Sequence, residues 1–197
     1  MIPSDMVPAG YMAKRVVARP DWLPAERVSS IYSVSGCVSK NFADYITFWK
    51  HNGYWLFDSP DVIIEIAREN NIALAETTLF FYEVHELQFN SGEWTSFEPE
   101  PSFGSNVSVP EARVLEGYDV VTFYAQSSPE CSPLSCNSLA AEVETNARCL
   151  LQSFEQARTL LENGTFNASE PGPYRIFAVY SVAWPGPAGA PSLVELP

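Results

Sequence analysis

Apolar and polar residues change their period several times along the chain, and the changes mark the elements. Residues 28–38 are rich in Val, Ile, Tyr and Ser, the composition of a strand ending near Gly36. Phe42, Tyr45, Ile46 and Trp49 follow Asn41 at helical spacing, which predicts a capped helix stopped by Asn52-Gly53. Residues 54–57 read as a short strand. Ser59-Pro60-Asp61 then places a hydroxyl acceptor, a proline and an acid where a helix start uses each, with Ile63, Ile64 and Ala67 on the apolar side. Residues 77–89 predict a long strand, turned by Asn90-Ser91-Gly92 into another around Trp94 and Phe97.

The second half continues with a proline-broken loop over 98–110 and a strand over 119–124. A proline- and cysteine-bearing loop covers 127–137, followed by a short helix from Ser138 and a strand over 149–151. Ser153 and Gln156 fit a capping box at the start of a helix ending near Asn163-Gly164, and 174–182 predicts a final strand. The run Trp55-Leu56-Phe57-Asp58-Ser59 parallels Leu150-Leu151-Gln152-Ser153. Both place a short apolar run and a serine cap before a helix.

These elements predict one α+β domain, with a mixed or mainly antiparallel sheet of five to seven strands and three or four helices. Residues 28–184 form that domain. Residues 1–27, with four prolines and most of the early basic groups, read as an extended basic arm, and 185–197 as a Pro/Gly/Ala-rich tail.

Composition narrows the function. The 197 residues carry 46% hydrophobic and 13% aromatic side chains, enough to build a core, and a net charge of −13. Residues 1–50 hold six basic and four acidic groups, whereas 69–144 hold thirteen acids and the single base Arg113. Such a field repels phosphate backbones and anionic lipid, so neither nucleic acid nor a membrane surface is expected as a partner. The N-terminal residues lack a signal-peptide pattern and no apolar run reaches membrane-spanning length, so the chain is read as cytoplasmic with reduced thiols.

Candidate chemistry falls in two places. The acidic, aromatic stretch around the predicted hairpin offers Tyr82, Trp94 and Phe97 as interface anchors, with Glu83, Glu86, Glu93 and Glu98 as a steering rim for a basic protein partner. The loop Glu130-Cys131-Ser132-Pro133-Leu134-Ser135-Cys136-Asn137 offers Cys131 and Cys136 as reactive thiols. With Cys149 and Cys37 it also supplies enough sulfur for a tetrahedral ion, though the spacing is C-x4-C followed by C-x12-C, without tight knuckles or a nearby histidine. Buried cysteines that merely pack the loop satisfy the same pattern. A Cys37–His51 pair with Asp44 or Asp58 can be drawn, but no spacing demands it.

The sequence lacks GxGxxG, GxxxxGK[ST], GxSxG, HExxH and an EF-hand loop, which removes the commonest nucleotide, hydrolase, zinc-protease and calcium classes and implies no cofactor. In size, acidity and missing catalytic motifs the chain resembles small acidic immunity or inhibitor proteins. That resemblance implies a non-catalytic protein that occludes a basic partner; an enzyme or redox protein working through Cys131 and Cys136 is the alternative.

Overall fold

A computed structural model describes residues 5–42, 51–97, 106–123 and 130–185. Nine strands and three helices occur among them. The strands are β1 (Met6–Arg15), β2 (Val17–Ala18), β3 (Ser30–Ile31), β4 (Lys40–Asn41), β5 (Thr78–His85), β6 (Leu87–Asn90), β7 (Glu93–Ser96), β8 (Val114–Thr122) and β9 (Tyr174–Val182). The helices are α1 (Pro60–Glu69), the single turn α2 (Pro133–Cys136) and α3 (Phe154–Glu162). Seven strands form one antiparallel sheet in which β1, β5, β9 and β8 lie side by side, while β2 and β3 form a small separate ladder. Past a break at Glu86, β6 meets β9 again at Phe89–Tyr174 and carries β7 on its other edge.

The two long helices begin where serine caps them. The Ser59 hydroxyl accepts from Val62 N and the Ser153 hydroxyl from Gln156 N. Gln156 in turn accepts from the backbone N–H of Gln152 at 2.8 Å, one residue before the position a capping box uses. Asn90, Ser91 and Gly92 make the hairpin, with Ser91 and Gly92 both at positive φ.

Four assignments change. The basic arm carries β1, which pairs with β5 from Met6–His85 to Lys14–Thr78 and meets only the two-residue β4 on its outer side. Its Pro8 is accommodated because it sits at a bulge, where a missing N–H breaks no regular ladder. The strand over 28–38 shrinks to Ser30–Ile31, because 32–39 is drawn inward by side chains rather than by a neighbouring strand. Residues 54–57 and 149–151 contain only single bridges, Tyr11–Phe57 and Tyr118–Leu151, since Trp55 and Cys149 take left-handed φ values of 57° and 64°. The helix predicted after Asn41 lies mostly in 43–50, and the tail in 186–197, both outside the described residues.

The parallel between the two serine-capped helices extends to the strands on either side of them. Gly10 pairs with Tyr82, Tyr82 with Val179, and Val179 with Gly117, so one row across the sheet reads Gly–Tyr–Val–Gly. β1 and β8 are each bulged just before that glycine. Beside each glycine sits an asparagine, Asn52 or Asn146, followed by leucine at +4 and the capping serine at +7. Two equivalent halves, β1–α1–β5 and β8–α3–β9, thus meet about a local two-fold through the Tyr82–Val179 pair.

The sheet faces do different work. On one, α3 packs Phe154 against Tyr118 and His85. On the other, Phe80, Tyr82, Phe177 and Phe123 form an aromatic layer covered by the connections of both halves, with Tyr32 edge-on to Phe80.

Candidate thiol site

In the first half, the connection from β1 to Asn52 carries Cys37. In the second, the corresponding connection from β8 to Asn146 carries Cys131 and Cys136. Both lie over the same face of the sheet, and two buried charges hold them there.

Lys14 is on the covered face of β1 and 1% exposed. Its ammonium donates to the carbonyls of Ser33, Val34 (2.9 Å) and Ser35 (2.7 Å), three consecutive acceptors that suit a three-donor head. This interaction pulls the chain inward before Cys37. Asp119, on β8 and fully buried, accepts from Val34 N at 2.8 Å and from the Ser132 hydroxyl at 2.6 Å. One carboxylate therefore ties the Cys37 loop to the Cys131–Cys136 segment. Burial raises its pKa to about 6, against the lowering effect of Ser132, Val34 and Lys14.

The Cys131 segment is shaped by its own chemistry. Thr122 N donates to Cys131 O and Glu130 N to Thr122 O, which extends β8 into a short return. Pro133 then occupies the first position of α2, where no N–H is needed, and the turn closes through Cys136 N to Ser132 O at 2.8 Å.

As a result the sulfurs of Cys37, Cys131 and Cys136 all lie within 4.8 Å of one another. They border a cavity of about 510 Å³ also lined by Glu130, Asn137 and Glu170. Cys37 is exposed, Cys136 half-buried and Cys131 buried. Hydrogen bonds donated by the Cys131 and then the Cys136 thiol hold the Cys37 sulfur well below the ordinary thiol pKa range. Burial works in the opposite direction, and the Glu130 carbonyl accepts a hydrogen bond from the Cys37 thiol at 2.9 Å. Cys131 is raised by its hydrogen bonds to Cys136 and Cys37 and by burial. At Cys136 a hydrogen bond from Cys131 lowers the pKa, but donation to Cys37 and burial raise it overall. Asn137 accepts from Cys131 at 3.2 Å and donates to Glu170 at 3.1 Å, bracing the rim.

Cys149 stands apart. It is buried in the second-half Asn146 loop, and burial pushes its pKa to about 12. Histidine is likewise absent from the cluster among the described residues: His51 stacks on Trp55 at 3.7 Å, and His85 bonds to Asp5 at 2.8 Å. The drawn Cys37–His51 pair thus has no counterpart, and its possible partner Asp44 lies outside the described residues.

The acidic set is not brought to one face. Tyr82 is fully buried within the aromatic layer, with no partner for its hydroxyl among the described residues. Glu83 points to the opposite side, where it pairs with Arg113 at 2.9 Å and accepts from Tyr180 at 2.6 Å. Tyr82 and Glu83 therefore cannot serve as exposed anchor and rim, because each side chain is enclosed by the sheet's own packing. Trp94 donates to Glu162 at 2.9 Å, and Phe97 covers the buried Arg175 guanidinium at 3.7 Å. Glu86 and Glu93 are exposed, and Glu98 lies outside the described residues.

Comparison with known proteins leaves the site to be read from its own geometry: no family model, curated protein or solved structure matches the chain. Among the described residues no helix is long and apolar enough to cross a membrane.

Proposed function

We propose that the protein is a thiol-redox protein working through Cys37, Cys131 and Cys136. The observation that carries this reading is one exposed thiol with two less exposed thiols within 4.8 Å of it, beside an open cavity. Cys37 attacks a small hydroperoxide: its sulfur takes the terminal oxygen, the O–O bond breaks, and the alcohol or water leaves with a proton. The resulting sulfenic acid is attacked by the sulfur of Cys136 or Cys131, which forms a disulfide and releases water. Two electrons have then moved from the two sulfurs to the peroxide.

Native protein treated with one equivalent of hydrogen peroxide should lose two hydrogens in mass, with Cys37 in the bridge on peptide mapping. Four intact thiols after that treatment, or Cys37 alkylating no faster than in the denatured chain, would refute the reading.

The alternative of an acidic inhibitor of a basic protein retains Glu86 and Glu93 as exposed charges. Its expected signature is association that slows as salt is raised, because only long-range attraction is screened.

A further inference from the structure

We infer that the reduced trio is also a binding site for a thiophilic d10 dication such as Zn2+, and that forming the disulfide expels the ion. The gating half of this inference rests on the redox reading, while the metal half rests on geometry alone.

Zinc–thiolate bonds of about 2.3 Å in a tetrahedron place sulfurs about 3.8 Å apart. Sulfurs already within 4.8 Å of one another need only side-chain adjustment of about an ångström to reach that spacing. Their supports come from different elements: Cys37 from the loop fixed by Lys14 and Asp119, Cys131 from the return beyond β8, and Cys136 from the end of α2. Ligands approaching from three directions surround an ion better than three from one strand. Hydrogen-bonded neighbours around the sulfurs, Ser35 near Cys136 at 3.7 Å and Asn137 on Cys131, provide the outer contacts that orient ligands. The fourth position faces the cavity, so a water or a small anion completes the tetrahedron there rather than another cysteine.

On binding, the ion takes the place of the thiol protons, which pass to solvent. Oxidation by hydroperoxide removes two electrons from two of the three sulfurs. A disulfide sulfur is a far weaker ligand than a thiolate, so a single remaining thiolate cannot hold the ion and Zn2+ leaves unchanged in oxidation state. Cys37, the most exposed of the three, is the sulfur through which oxidant and ion compete.

The experiment uses the full chain, reduced under argon and titrated with Zn2+ against a chromophoric chelator, with Cd2+ in parallel to read the sulfur-to-metal absorption band. One equivalent should bind, and Cys37→Ser, Cys131→Ser and Cys136→Ser should each weaken binding by about a hundredfold or more, since loss of a ligand costs at least as much as loss of an outer contact that orients one. Cys149→Ala should bind as the native chain does. If a serine variant is unfolded by circular dichroism, alkylation of Cys37 in the native protein replaces it and should abolish binding. Peroxide should release the ion in step with the loss of two hydrogens.

No stoichiometric Zn2+ on reduced, folded protein overturns the inference, and if the disulfide still forms the redox reading survives. Zinc that stays bound after complete disulfide formation also overturns the gate. Zinc bound with no disulfide under peroxide removes the redox reading and the gate with it.

Discussion

Asn52 and Asn146 make the same three hydrogen bonds in the two halves of the chain. Each amide donates at 2.7 Å to the carbonyl of a bulge residue, Ala9 or Glu116. Each side-chain oxygen accepts from the second and fourth N–H beyond it, Tyr54 and Leu56 or Arg148 and Leu150, at 2.9 and 3.2 Å. Asn52→Ala and Asn146→Ala should therefore cost similar stability, about 2–3 kcal/mol each, because buried backbone groups lose their partners. Urea unfolding of the two variants measures the difference; a large gap between them would show that the halves do not share this support.

The glycines beside these asparagines should be equally intolerant. A Cβ on Gly10 would lie 2.7 Å from Phe57 O, and one on Gly117 would lie 2.8 Å from both Leu150 Cβ and Leu151 O, with φ at 135° and 147°. Gly10→Ala and Gly117→Ala are expected to lose more than about 2 kcal/mol, from backbone strain plus collision. Gly92, at φ 89° with open space around it, should lose only about 1 kcal/mol on the same change. Thermal melts of the three variants test that order.

Asp119 gives the fold a pH dependence of defined sign. Its carboxyl has a folded pKa of about 6 against an ordinary value near 3.9, so the folded state binds the proton more tightly. That contribution is fully present below about pH 4 and is lost as pH rises through about 6, a change of roughly 3 kcal/mol for a fully buried group. Asp119→Asn should remove this slope. Stability curves of native protein and variant should then separate by about that amount between pH 4 and 7, and parallel curves would contradict the assignment.

Lys14→Met should loosen the site more than the sheet. It leaves three carbonyls of the Cys37 loop without their donor, while a methionine still fills the covered face of β1. Disulfide formation between Cys37 and its partners is expected to slow by about tenfold or more, since misplacing a reacting group by an ångström has large kinetic effects. Stopped mass-spectrometric time points would report it. An unchanged rate would mean that the loop holds its position without the lysine.

Tyr82→Phe tests the buried hydroxyl of the aromatic layer. The tyrosine hydroxyl is buried without a partner among the described residues, so its removal should leave stability unchanged or raise it by about 1 kcal/mol. A loss of stability beyond about 1 kcal/mol would show that the hydroxyl is satisfied in solution.

Local signals were readable where chemistry acts locally. Serine caps before α1 and α3, the Asn90-Ser91-Gly92 turn and the apolar strands β5 and β9 are each specified within a few residues. β1 was obscured because Pro8 and the basic Lys14 resemble an exposed arm. Their fit depends on a bulge and on three carbonyls from a loop about twenty residues later. Cys131 and Cys136 stood out through their spacing, whereas Cys37 joins them across 94 residues only because Asp119 draws its loop down. No pattern around Cys37 carries that information; it resides in the pairing of two halves. The repeated Asn-x-x-x-Leu-x-x-Ser was the one signal of that pairing, and its meaning depended on knowing where the two glycines lie.

Because the trio draws one sulfur from the first half and two from the second, it exists only where the two connections pack together over one sheet face. Without that packing Cys37 has no sulfur neighbours from the other half. Its reactivity is then that of an isolated exposed thiol. The same cysteine thus distinguishes two states of the chain, separate before the halves join and grouped afterwards. A pulse of alkylating reagent during refolding would record the moment the halves join.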